Sequence, residues 1–425
     1  MFDFSQISDA CVKCGRCIQV CTIYSVNRDE ATSPRGFLDL VGAYSRGELG
    51  LDKGAKRIFE SCFLCTNCVE VCPKNLRVDT AIEFIRADIA KKHGIAWYKR
   101  AFFFLLRHRW AMDFCAKLGF VFQSCAFKLR QGGMSARFSL PMIKKGRFLP
   151  SAKRKSFLNS HPKIIPASTQ NPRKIGLFIG CMANYAYTEV GESIIAIARA
   201  LNLELNLMKK QACCGAPAYF TGDLATAKEL AKKNIAYFES LLNEGGLEAI
   251  IIPEATCSAM IKVDYEHLFE AGSQWQNRLK VIKDRVFMAT EFLNNFTNLK
   301  ELLKSHNGLI EDVKITYHDP CHARKMQGIW REPREILSQK FIINEMSDSN
   351  ACCGFGGVSL QSERRDLVEA VGAKKAQMVG LSGAEIVSAE CSACRMQISD
   401  ALVANGVNAR FKNPLELIAQ SLKND

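Results

Sequence analysis

Ser61-Cys62-Phe63-Leu64-Cys65-Thr66-Asn67-Cys68-Val69-Glu70-Val71-Cys72-Pro73 decides how this 425-residue chain is read. Its cysteines follow C-x2-C-x2-C-x3-C with a proline directly after. That spacing wraps three thiolates round one face of a [4Fe–4S] cubane and sends the fourth to a neighbouring cluster. A neighbour exists: Cys11, Cys14, Cys17 and Cys21 repeat the spacing 51 residues earlier. The expected sharing is Cys11, Cys14, Cys17 and Cys72 on cluster 1, and Cys62, Cys65, Cys68 and Cys21 on cluster 2. Zinc, the competing reading, favours paired C-x2-C knuckles with a long gap between them. Thr22 rather than proline follows Cys21, so the turn there is expected to differ.

Outward from these runs, the length suits two to four domains. Nineteen cysteines sit mostly in short-spaced groups, and Met1-Phe2-Asp3-Phe4 lacks the basic start and apolar run of a secretory leader. Disulfides are therefore not expected, metal-binding or redox thiols are, and the expected location is cytoplasmic. The net charge of +14 is local: residues 91–160 hold 16 Lys and Arg against the single acid Asp113. Such a patch calls for an acidic partner, whether nucleic acid, an anionic membrane or an acidic protein.

The fold class expected is multidomain α+β: a helical ferredoxin-like N-terminal domain followed by a duplicated α/β Cys-Cys-Gly domain. Residues 1–92 form the first part, with helical patterns at Phe37–Tyr44 and Asp79–Lys92. Residues 93–172 are a basic amphipathic helix and linker. Leu106, Trp110 and Phe114 recur at i, i+4, i+8, extended by Phe103, Val121 and Phe122, with Arg107, Arg109, Lys117, Lys128 and Arg130 around them. Two readings compete: a helix lying in a membrane interface, or an aromatic stripe on the protein's own core. Nucleic-acid binding is not expected, since no binding module accompanies the charge. From Gln131 to Asn171 the pattern dissolves into Gly, Pro, Ser and Lys and reads as linker. Cys115 and Cys125, outside every pattern, are expected to be half-buried.

Beyond Arg173 strands alternate with helices, the grammar of a parallel sheet. Strands at Ile175–Ile179, Leu203–Leu207 and Ala249–Ile252 lead to Cys181, Cys213-Cys214-Gly215 and Cys257. The order recurs: strands at Val313–Tyr317, Phe341–Ile343 and Ile386–Ala389 precede Cys321, Cys352-Cys353-Gly354 and Cys391-Ser392-Ala393-Cys394. The offsets are 140, 139 and 134 residues, an internal duplication with copies at 173–305 and 306–425. Its cysteines gather at the carboxyl edge of each sheet.

The second copy offers Cys321, Cys352, Cys353, Cys391 and Cys394. Adjacent cysteines suit a multi-iron cluster better than one tetrahedral zinc, and Gly354, Gly356 and Gly357 let backbone approach what is bound. His318 and His322 are ligands or proton donors, or bond backbone at the strand end. The first copy offers Cys181, Cys213, Cys214 and Cys257, but Met260 stands where the second has Cys394, so its site is simpler, different or vestigial. A further iron–sulfur cluster, a zinc ion and a redox thiol pair all remain open for these modules.

Taken together, Cys11–Cys21, Cys62–Pro73, Gly180-Cys181, Cys213-Cys214-Gly215, Thr256-Cys257, His318–His322, Cys352-Cys353-Gly354 and Cys391–Cys394 resemble the iron–sulfur subunit of glycolate oxidase and the corresponding subunit of anaerobic glycerol-3-phosphate dehydrogenase. The Cys-Cys-Gly module is also similar to the catalytic subunit of heterodisulfide reductase, whose modules hold non-cubane [4Fe–4S] clusters. The resemblance implies an electron-transfer subunit that takes electrons from an FAD-containing dehydrogenase acting on glycolate or D-lactate. They would pass to membrane quinone, with the basic segment 93–160 on the inner face of the cytoplasmic membrane. It also implies two alternatives, glycerol 3-phosphate oxidation by a partner or disulfide reduction at Cys321–Cys394. No flavin is expected in this chain: no G-x-G-x-x-G follows a strand, and Gly354-Phe355-Gly356-Gly357 falls short of it.

Overall fold

Residues 2–130, 132–140, 143–305 and 313–422 are described by a computed structural model of the chain. The expected starts of the linker at Gln131 and of the second copy at residue 306 lie outside the described residues. In the N-terminal domain the helices Pro34–Ser45 and Val78–His93 pack together between and behind the cysteine runs. Ser33 caps the first, its Oγ accepting from the Gly36 N–H at 3.0 Å, and Pro34 fills the position where a missing N–H costs nothing.

The basic segment is two helices, Trp97–Arg107 and Arg109–Ala126, broken at His108. The break separates the expected stripe. Phe103 and Leu106 are buried in the core, whereas Trp110, Phe114, Val121 and Phe122 are exposed, Trp110 to 70%. The expected linker is folded. Strands β1 (Phe127–Arg130), β2 (Gly133–Ala136) and β3 (Phe148–Leu149) form an antiparallel sheet, and β4 (Ile164–Ile165) joins the next domain. Two-residue strands are too short to leave a periodic pattern. The segment is held instead by single contacts, such as the Phe148 N–H donating to Asp400 Oδ1 at 2.9 Å.

Both modules are parallel sheets. In the first, β5 (Lys174–Leu177), β6 (Glu204–Leu207), β7 (Ala249–Ile252) and β8 (Val286–Met288) lie in the order β4-β6-β5-β7-β8, with only β4 antiparallel. In the second, β9 (Lys314–Tyr317), β10 (Ile342–Ile343), β11 (Ile386–Ser388) and β12 (Arg410–Lys412) lie in the order β10-β9-β11-β12, all parallel. The four-strand cores match strand for strand, and the repeat extends past the cysteine motifs to β8 and β12.

The copies pack by exchanging equivalent helices. Thr188–Ala200 of the first lies on Pro414–Ser421 of the second, and Ala289–Phe296 on Glu332–Leu337. Leu177, Ile251, Ile315 and Ile386 share one core across the two sheets. A second core joins the N-terminal domain to the first module through Phe59, Ile85, Tyr219 and Leu230.

Candidate metal-thiolate sites

In the N-terminal domain Cys11, Cys14, Cys17 and Cys72 line one small cavity, with Cys68 at its edge. Cys62, Cys65, Cys68 and Cys21 line another. Each run's fourth cysteine thus faces the other run's first three. The loops turn inward through left-handed backbone at equivalent places: Lys13 (φ 52°) matches Leu64 (φ 52°), and Gly15 (φ 77°) matches Thr66 (φ 58°). Three of these four are not glycine, a cost of roughly 1–3 kcal/mol each that the surroundings must offset. Arg86, 2% exposed, is one such support. Its guanidinium donates to the carbonyls of Phe59, Glu60 and Cys62 at 3.2, 3.2 and 2.7 Å, and to Phe220 of the first module at 3.0 Å. Where a proline was absent, Thr22 places its hydroxyl 3.3 Å from Cys65 Sγ. Burial pushes the Cys62 thiol up to about 12 and the Cys17 thiol to about 11. Such crowded thiols are stable as thiolates only against a cation, and soft sulfur sets of this kind take iron–sulfur clusters or zinc. The donor sets fit an iron–sulfur group.

Cluster 2's cavity abuts the second module. The Cys65 thiol lies beside Cys352, which in turn neighbours Cys353, Cys353 neighbours Cys394, and Cys394 neighbours Cys391. Lys325 reaches across, donating to the Asn350 carbonyl at 3.1 Å, to the Cys65 carbonyl at 3.4 Å and to Asn67. Cys321 lies 3.4 Å from His322 Nδ1. Its loop is fixed by Asp319, whose fully buried carboxylate pairs with Arg324 (2.7 Å) and Arg334 (2.5 Å). His318 bonds backbone, one of its two expected roles, and keeps a ring nitrogen available for the other. Its Nδ1–H donates to the Ser349 carbonyl at 3.1 Å, so Nε2 keeps its lone pair, and Nε2 has no hydrogen-bond partner among the described residues. A ligand atom of His318 lies within 4.8 Å of those of Cys353 and Cys394. Lys375, pushed down to about 8 by burial, stands close by, and with Lys325 it supplies positive charge to a crowd of sulfurs.

Two of the three glycines also meet neighbouring protein. A side chain on Gly354 (φ 87°) would press on Val371 and Gly372, and one on Gly356 (φ 64°) on Leu360 and on Phe63 of the N-terminal domain. They permit close packing of protein on protein at this junction.

The first module gathers Cys181, Cys213, Cys214 and Cys257 in one contact chain, in that order. Met260 is fully buried in the apolar core shared with the N-terminal domain. A cavity of about 330 Å³ opens beside Cys181 and Cys213, lined also by Arg107, Arg109, Met112, Tyr185 and Lys209. Asp113, the lone acid of the basic segment, accepts from the Tyr185 hydroxyl at 2.8 Å and so anchors the second basic helix at this mouth. Cys115 and Cys125 stay apart from every site and are exposed rather than half-buried, because that helix buries only Ala111.

The two modules' edges interlock. Glu254, two residues past β7, accepts from the Ser392 N–H at 2.8 Å and from its hydroxyl. Glu390, two residues past β11, accepts from the Thr290 N–H at 3.2 Å and from its hydroxyl. Burial pushes these carboxyls up to about 7 and about 8. Neither glutamate was singled out by the sequence, and only their shared offset from the repeated strands marks them. Thr256 Oγ1 lies 3.6 Å from Cys391 Sγ across the same seam.

Comparison with known proteins agrees with this architecture. Residues 7–76 match a 4Fe-4S dicluster domain, and residues 175–262 and 315–399 each match a cysteine-rich domain. The probable glycolate oxidase iron-sulfur subunit of Bacillus subtilis is 25% identical over 95% of this chain and 90% of its own length. One of the subunits of the fumarate reductase (CoM/CoB) of Methanothermobacter marburgensis is 28% identical over 98% of this chain and 72% of its own. Lactate utilization protein A 2 of Bacillus cereus strain Q1 is 31% identical over 59% of this chain and 99% of its own. A crystal structure of a hypothetical protein from Helicobacter pylori shares the fold, with a TM-score of 0.54, 10% identity, all of this chain and 78% of that one. The chain belongs to the iron–sulfur oxidoreductase subunit family that includes lactate utilization protein A and the glycolate oxidase iron-sulfur subunit.

Proposed function

We propose that this protein is the electron-relay subunit of a flavin-dependent 2-hydroxyacid dehydrogenase, oxidising glycolate or lactate through a separate FAD-containing partner. One observation carries the reading: Cys65 of cluster 2 lies beside Cys352 of the second module, with Lys325 bridging the two loops. Cluster 1 (Cys11, Cys14, Cys17, Cys72), cluster 2 (Cys62, Cys65, Cys68, Cys21) and the second module (Cys321, Cys352, Cys353, Cys391, Cys394, with His318 added) then form a continuous series. Iron–sulfur groups at these positions supply one-electron transfer. The protein's share is to hold the thiolates, to offset their charge with Lys325 and Lys375, and to keep the cysteine groups beside one another. The first module (Cys181, Cys213, Cys214, Cys257) borders the 330 Å³ cavity, whose Leu105, Met112 and flanking cations suit an acceptor with an apolar body and a polar head, such as a quinone. The basic segment would rest on the inner face of the membrane.

The test is anaerobic purification, iron and zinc analysis, and low-temperature EPR on the wild type and Cys352→Ser. The relay predicts iron beyond two [4Fe–4S] clusters, plus a signal lost in Cys352→Ser. That variant should still reduce its N-terminal clusters but deliver no electrons to a quinone analogue. Zinc in place of iron, or undiminished delivery by the variant, sinks the reading. A second reading, thiol–disulfide reduction at Cys321–Cys394, is favoured by the match to the fumarate reductase (CoM/CoB) of Methanothermobacter marburgensis. It requires disulfide turnover that Cys391→Ser abolishes while the N-terminal EPR signals stay intact.

A further inference from the structure

The helix Val78–His93 of the N-terminal domain meets the turn Asp264–Leu268 of the first module. There a carboxylate oxygen of Glu83, one of Asp264 and a ring nitrogen of His267 all lie within 4.8 Å of one another. Glu83 is 3% exposed and Asp264 1%, while His267 is half-buried at the outer edge. Tyr219 ties the group together, its hydroxyl donating to Glu83 Oε2 at 2.9 Å and lying 3.2 Å from His267 Nδ1.

The second observation is independent of the clustering. Both carboxylate oxygens of Asp264 are buried, and neither has a hydrogen-bond partner among the described residues. A buried carboxylate is ordinarily hydrogen-bonded, paired with a cation or bound to a metal. The neighbouring guanidinium, Arg77, is already engaged by Asp79 at 3.0 and 2.7 Å. Burial raises the Asp264 carboxyl, Asp79 raises it further, and His322 and Arg77 only partly oppose them. Two buried carboxylates with one neutral imidazole leave a charge that one divalent ion offsets.

We propose that Glu83, Asp264 and His267 hold a divalent transition-metal ion that clips the N-terminal domain to the first module. Two oxygens and one nitrogen form a harder donor set than the thiolate sites, suited to zinc, manganese or ferrous iron. The half-buried edge of His267 gives the ion its entry. The ion takes no cysteine ligand and fixes the spacing of the two domains that carry the thiolate sites.

The test uses the full-length, cluster-loaded protein. Non-iron metals are measured as purified. The protein is then treated with chelator and titrated with Mn²⁺, an ion that thiolates bind poorly, with free Mn²⁺ followed by EPR. One equivalent per chain is expected, either retained as zinc or manganese or taken up as Mn²⁺. Asp264→Asn should weaken Mn²⁺ binding by at least roughly tenfold, with iron content and cluster signals unchanged, and Cys352→Ser should leave it alone. His267→Gln, on the half-buried ligand, gives the same reading if the asparagine variant does not fold. A wild type that neither retains nor takes up an equivalent overturns the site, since the side-chain cluster then shares only protons. So does an Asp264→Asn or His267→Gln variant that binds Mn²⁺ as the wild type does.

Discussion

Arg86 shows how one side chain can hold a cofactor loop it does not ligate. Its guanidinium is surrounded by carbonyl oxygens, one of them on Cys62 itself, and burial lowers its pKa against the pull of nearby Cys62 and Glu60. Arg86→Met would strand those buried carbonyls at roughly 1–3 kcal/mol each. The expected result is a protein that keeps cluster 1 but loads cluster 2 poorly, read as iron content and as a lowered melting temperature. Full iron occupancy in the variant would show that the loop holds itself. At this scale the cysteines were legible because their chemistry demands fixed spacings, 51 residues apart in the two runs. Arg86, His318 and Asp264 carry no such spacing. Their meaning comes from distant partners, in the case of Arg86 24 to 134 residues away, which only the folded chain brings near.

The helix Arg109–Ala126 is the element least explained by its own contacts. It buries one residue, turns Trp110, Phe114, Leu118, Val121 and Phe122 outward, and carries exposed Lys117, with Lys128 and Arg130 on the strand that follows. No helix among the described residues is long and apolar enough to cross a membrane. An aromatic face flanked by lysine and arginine suits the interfacial plane of an anionic bilayer instead. Trp110→Ala with Phe114→Ala should abolish cosedimentation with vesicles containing phosphatidylserine. Exchanging Lys117, Lys128 and Arg130 for glutamine should weaken it, most clearly at low salt. A wild type that ignores such vesicles removes the idea. The core reading of the aromatic stripe holds for Phe103 and Leu106 only, because the His108 break turns that part inward and leaves the rest exposed. β3 and β4, of two residues each, escaped notice because they have no period to read and, unlike the equally short β10, no repeated cysteine motif after them.

Across the whole molecule, the duplication was legible from three cysteine groups in register, and the matching strand orders carry it further, to β8 and β12. How the copies meet was not legible, since it rests on Glu254 and Glu390 crossing between them. Both carboxyls titrate higher folded than unfolded, near 7 and 8 against an ordinary 4.5. The folded protein therefore holds protons that the unfolded chain releases. Their stabilising contribution is complete below about pH 4.5 and is lost as pH rises through 7 to 8. Glu390→Gln should flatten the fall in stability between pH 5 and 8 by on the order of 3 kcal/mol. Matched denaturant titrations at several pH values check this, and an unchanged slope would mean the group stays ionised.

That crossing has an evolutionary consequence. When a gene segment doubles, one copy is usually free to decay. Here the second copy's glutamate is seated on Thr290 of the first, and the first copy's on Ser392 of the second. The first half can carry Met260 where the second has a thiol and still not be discarded, because its sibling is seated on it. Selection is thereby relaxed on what the first copy binds, while its shape remains under the full constraint of its twin.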